Sequence, residues 1–80
     1  MDANELGRTV RYHRKRANLT QKECAHLSGV GKTALFDIEK GKGTVRFSTL
    51  AAVLETLNIT IHLESPLMEE YRATRDRSVS

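Results

Sequence analysis

Apolar positions follow a helical period through most of the chain and change to a two-residue alternation near residue 59. Leu6, Val10, His13 and Ala17 share one side of a first helix. Thr20 and Glu23 make a T-x-x-E capping box, so a second helix is predicted from about Gln21, with Cys24, Ala25 and Leu27 as its small or apolar positions. Gly29 supplies a turn where φ must be positive, and Val30 plugs the core beneath it. A third helix over roughly 31–40 gathers Ala34, Leu35 and Ile38 on one stripe. Ser48 then caps a helix carrying Leu50, Val53, Leu54 and Leu57 and ending near Asn58. Beyond it, Ile59, Ile61 and Leu63 alternate with Thr60, His62 and Glu64, which predicts a strand with one apolar face.

The third helix has a second face. Lys32, Thr33, Phe36, Asp37 and Lys40 lie opposite the apolar stripe. Taken alone, that pattern also describes a core helix with a solvated outer side. The joint spacing of the cap, Ala25, Gly29, Leu35 and Ile38 instead selects a helix-turn-helix, whose second helix enters the DNA major groove. Lys32 can donate to guanine O6 or N7, and Thr33 offers base edges a hydroxyl or a methyl. Phe36 either packs on a thymine methyl or folds back against the second helix; both readings stand at this stage.

A strand alone in a helical chain leaves its amides unpaired and exposes an apolar edge. Residues 59–64 are therefore expected to pair with the same residues of a second copy, through Ile59, Ile61 and Leu63, in an antiparallel ribbon across a twofold homodimer. The alternative is a strand folded back on its own domain. A twofold dimer calls for inverted half-sites spaced by about one DNA turn or a multiple of it.

Charge sharpens this picture. The 80 residues carry a formal +3, yet residues 1–42 hold nine Lys or Arg against five Asp or Glu and residues 43–80 hold four against five, so the halves stand at +4 and −1. Arg8, Arg11, Lys15 and Arg16 on the first helix are phosphate candidates beside Lys22, Lys32, Lys40 and Lys42. Because the first helix is mainly scaffold in such a fold, the expected backbone contacts are Gln21, Lys22, Lys40 and Lys42.

TQKECAHLSGV, IEKGK and an arginine in the first helix resemble the Cro and phage-repressor (XRE) type of helix-turn-helix regulator over about residues 6–58. The resemblance implies a mainly α, four-to-five-helix, lambda-repressor-like domain in which Arg14 pairs structurally with Glu39. Gly31 stands where relatives carry a serine or another polar base-reader, so one contact is missing there. TVRFSTLAAVLETLNITIHLESP is similar to the second half of HipB-type antitoxins, in which a helix leads into a short strand. That likeness implies a repressor that autoregulates its operon and restrains a HipA-like serine/threonine kinase toxin; the alternative is a stand-alone XRE-type regulator without a toxin.

The chain divides into a DNA-binding domain at 1–64 and a largely flexible tail at 65–80, in which Leu67, Met68 and Tyr71 form one apolar turn that either covers the dimer ribbon or docks on another protein. One cysteine, no signal peptide and no membrane-length apolar run point to a reducing cytoplasm, with Cys24 a buried small hydrophobe. GVGKT at 29–33 looks like the end of a phosphate-binding loop, but that motif needs a glycine at His26, a strand before it and a nucleotide domain after it. His13, His26 and His62 fall in different elements, so no metal set or cofactor site is expected, and no nucleophile stands at useful spacing from a base. The chain reads as a DNA binder and not an enzyme.

Overall fold

The computed structural model describes the backbone of residues 2–78 and the side chains of residues 2–75. It contains α1 (Ala3–Arg16), α2 (Gln21–Ser28), α3 (Lys32–Glu39), α4 (Phe47–Thr56) and α5 (Met68–Ser78). Each boundary has a local cause. Asp2 caps α1, its carboxylate accepting from the Glu5 amide at 2.7 Å, and Asn18, at φ +59°, turns the chain out of the helix. Thr20 and Glu23 close both bonds of the capping box at 3.1 and 2.9 Å. Gly29 ends α2 at φ +70°; nothing lies within 4 Å of a Cβ placed there, so conformation rather than crowding requires glycine.

The helix after the turn starts at Lys32 behind Gly31, which offers no side-chain cap. For α4 the expectation of a Ser48 cap is corrected. Arg46 occupies that position without a side-chain bond, and Ser48 lies within the first turn. Asn58, at φ +58°, terminates this helix, and the Ile59 amide reaches back to the Leu54 carbonyl at 2.9 Å.

Val10, Cys24, Leu35 and Val53 are fully buried and form the core with Ala25, Ile38, Leu54 and Leu57. Packing joins α1 to α3, α2 to α3 and α4, and α3 to α4. Gly7 sits at the α1–α3 crossing, where a Cβ would run into the Ile38 carbonyl oxygen and stand 2.7 Å from that of Glu39. Ser28 donates to the Thr56 hydroxyl at 2.9 Å, linking α2 to α4.

Three expected inward positions point outward. His13 and Ala17 are exposed because the buried side of α1 runs through Gly7, Val10 and Arg14, one position round from the expected stripe. His13 Nδ1 instead donates to the Thr9 carbonyl at 2.7 Å. Leu27 is 62% exposed, since the short α2 turns only Cys24 and Ala25 fully into the core.

No strand occurs among the described residues; 59–65 lack regular secondary structure. A single chain brings no second strand to these amides, and pairing is what defines a ladder. Ile59 packs against the core, whereas Ile61 and Leu63 are exposed. Beyond Pro66 the chain forms α5, a longer helix than the one apolar turn expected, and residues 79–80 lie outside the described residues. Arg72 ties α5 to the preceding segment through the Leu63 carbonyl at 3.2 Å and Glu64 at 3.7 Å. Among the described residues α5 shows no extensive packing against the four-helix body, and the radius of gyration is 15.2 Å where a compact chain of this length gives about 12 Å.

Candidate nucleic-acid interface

The outer face of α3 presents Lys32, Thr33, Phe36 and Lys40 to solvent, with Asp37 half-buried at its side. Two adjoining clefts lie on this surface. One is lined by Gln21, Lys32, Thr33 and Phe36. Its neighbour is lined by Arg11, Arg14, Gln21, Phe36, Glu39 and Lys40. Phe36 borders both and remains 45% exposed, with the Lys40 ammonium 5.2 Å from its ring centroid in a cation–π contact. Its ring thus stands beside Gln21 at the start of α2 while staying open to a partner.

The floor is a closed network. Arg14 Nε donates to Glu39 Oε2 at 2.6 Å and Nη2 to Oε1 at 3.0 Å, while Nη1 donates to the Leu19 carbonyl at 2.8 Å. Gln21 Nε2 adds a bond to Glu39 Oε1 at 3.2 Å. The hydrogen bond that Arg14 donates to Glu39 holds the guanidinium above its ordinary pKa and outweighs the opposing effect of burial. This network fixes α3 against α1 and α2, so its outer side chains are displayed from a rigid base.

The sequence-predicted residues divide accordingly. Gln21, Lys32, Thr33, Phe36 and Lys40 come together, whereas Lys22, exposed at the start of α2, lines neither cleft. Lys42 stands apart: it pairs with Asp37 at 3.6 Å and lines a separate notch with Asp2, Leu6, Val45 and Leu50. Nothing lies within 4 Å of a Cβ at Gly31, so a larger side chain would find room there. Arg11, set in the sequence behind Gln21, Lys22, Lys40 and Lys42 as a backbone candidate, lines the second cleft. Its spacing of three from Arg14 was the available signal, because i, i+3 places both on the side of α1 that meets α3.

Other chemistry is sparse. Burial pushes the Cys24 thiol up, which makes it a poor nucleophile. Among the described residues no three His, Cys, Asp or Glu side chains are grouped to hold a metal, and no helix is long and apolar enough to cross a membrane.

A helix-turn-helix family model matches residues 10–63. An uncharacterised HTH-type transcriptional regulator of Sinorhizobium fredii, y4mF, is 39% identical over 62 residues, spanning 78% of this chain and 82% of its own. The control protein C.SmaI of Serratia marcescens is 34% identical over 62 residues, 76% of this chain and 74% of its own. A solved HipB complex with a 20mer shares the fold, with a TM-score of 0.73 at 18% identity over 82% of this chain and 92% of that one.

Proposed function

The chain belongs to the helix-turn-helix family, as a DNA-binding transcriptional regulator of the Cro and phage-repressor type, and from that premise we propose that it is an operator-binding repressor serving as the antitoxin of a type II toxin–antitoxin pair. The observation that carries the DNA reading is the open surface of α3 bordering the Lys32, Thr33 and Phe36 cleft, held from behind by Arg14 and Glu39. Lys32 and Thr33 address base edges, and Phe36 packs on a methyl group. Lys22, Lys40 and Lys42 hold backbone phosphates, Lys42 from outside the cleft. Gln21 joins them, because its carboxamide has two N–H donors and only one goes to Glu39.

The repressor acts as a homodimer. Ile61 and Leu63 leave the body exposed on a segment without a strand partner among the described residues, and pairing residues 59–64 with a second copy would cover both side chains. Residues 1–64 form the DNA-binding unit and 65–80 an appendage. The twofold axis then calls for inverted half-sites about 34 to 36 Å apart, or a multiple of that. In this reading the chain autoregulates its operon in the cytoplasm and needs no cofactor.

The antitoxin role draws support from α5, which stands away from the body with Leu67 and Tyr71 exposed. A HipA-like kinase is the partner this role implies. A second reading, a stand-alone regulator, draws on the same residues: if Ile61, Leu63, Leu67 and Tyr71 are all covered in the homodimer, the C-terminal segment offers no apolar surface to a toxin. Capture of the tagged chain from its native cells after nuclease treatment, followed by mass spectrometry and a kinase assay, separates the two. A stoichiometric kinase that the chain inhibits establishes the antitoxin; recovery of the homodimer alone, from cells expressing a neighbouring kinase, leaves the stand-alone regulator.

A further inference from the structure

The cleft against α1 differs chemically from the one beside Thr33. Its lining carries three cations, Arg11, Arg14 and Lys40, against one carboxylate, Glu39, a balance of +2. Arg14 and Glu39 cancel each other: their side chains are 9% and 5% exposed, the fork takes both carboxylate oxygens, and the third guanidinium nitrogen, Nη1, donates to the Leu19 carbonyl. The two cations of the lining whose charge no carboxylate balances are Arg11 and Lys40. Arg11 is exposed and makes no hydrogen bond or ion pair among the described residues; Lys40 makes only its contact with the Phe36 ring, which occupies none of its N–H groups. Gln21 brings one further free N–H to the same cleft.

We propose that this cleft seats a single DNA backbone phosphate, gripped by Arg11 and Lys40 with Gln21 as third donor, on the far side of the Phe36 ring from the base-reading cleft. The proposal rests on the DNA-binding reading and adds to it a residue of α1 and a register. A guanidinium presents paired donors that match a phosphate in fixed geometry, whereas an ammonium acts as a point charge, so Arg11 orients the group and Lys40 attracts it. An apolar wall on one side keeps water from part of the seat and strengthens both interactions. Because Phe36 is the shared wall, anchoring one phosphate here fixes which base stands over Thr33 and Lys32. Arg11 is therefore a positioning residue: it carries no sequence preference but sets the frame in which preference is read.

Arg8, Lys15 and Arg16 line neither cleft and serve as controls. The full chain is titrated by fluorescence anisotropy against a duplex it selects from a random library, with single phosphates replaced in turn by neutral methylphosphonate. Wild type is expected to weaken at each contacted phosphate, and one of these in each half-site is the seat. Arg11→Ala and Lys40→Ala, both at exposed positions, lose the response to that same phosphate, and Arg11→Ala makes the salt dependence shallower by about one unit per chain. Lys15→Ala retains the wild-type response. The seat is overturned if Arg11→Ala responds as Lys15→Ala does, or if the Arg11 and Lys40 variants lose sensitivity at different phosphates. Absence of duplex binding by the wild type at low salt overturns the DNA reading, and the seat with it.

Discussion

Arg14 and Glu39 clamp the first helix to the end of the third through two hydrogen bonds of 2.6 and 3.0 Å, with both side chains almost wholly removed from solvent. Breaking one side strands the other charge in a site that is largely closed to water. Arg14→Ala and Glu39→Ala should each cost about 3 kcal/mol in urea unfolding, near the lower end for a buried pair. The double variant should lose less than the two singles summed, because neither charge is then left alone. Additive losses would show that the two side chains act independently.

Gly7 presents a contest of two effects. Alanine is favoured over glycine in a helix by about 1 kcal/mol, but the added Cβ meets the carbonyl oxygens of Ile38 and Glu39, which are backbone and cannot swing aside. Overpacking of this kind costs about 1 to 3 kcal/mol, so Gly7→Ala should be destabilising. A thermal midpoint at or above wild type would mean that α1 and α3 do not cross here.

The Thr20–Glu23 box gives a pH dependence with a definite sign. Hydrogen bonding from the Thr20 amide and hydroxyl holds the Glu23 carboxyl below its ordinary range. A carboxyl whose folded pKa is depressed contributes fully above its unfolded value of about 4.3, and that contribution disappears as pH falls through the folded value. The stability difference between wild type and Glu23→Ala should be constant from neutral pH to about 6 and shrink below about 4. A difference that does not vary with pH would remove the carboxylate from the cap.

At the interface, Phe36 is open toward a partner with Thr33 beside it. Replacing thymine by uracil, which deletes only the C5-methyl group, should weaken wild-type binding at one position in each half-site. Phe36→Ala should abolish the difference between the two duplexes. A thymine preference that survives Phe36→Ala would assign the methyl contact to Thr33.

The legibility of the chain varied with how local each determinant was. Thr20, Glu23 and Gly29 act within a few residues, so the α2 boundary and the turn could be read directly. Cys24, Leu35, Ile38, Val53, Leu54 and Leu57 obeyed the helical period and are core. The period failed on α1, where buried Gly7 and Arg14 replace the apolar stripe, because their places depend on a crossing with α3 that no local pattern encodes. Arg46 rather than Ser48 stands at the N-cap of α4 although it makes no side-chain cap bond, so the better capping side chain did not mark this start. The alternation at 59–64 predicted a strand, but a ladder needs a partner outside the single chain. For the site, residues clustered on α3 were legible from its outer face, whereas Arg11 joins them only once α1 is folded across α3.

The measurement that bears most directly on the reading of DNA by α3 is selection of random duplexes by the wild type and by Lys32→Ala in parallel. Wild type should enrich an inverted repeat, and Lys32→Ala should recover the same repeat with one guanine position relaxed in each half, while its affinity for unrelated duplex changes little. Enrichment of no sequence by the wild type, or of an identical motif by the variant with affinity reduced equally on all duplexes, would contradict base reading by this face of the helix.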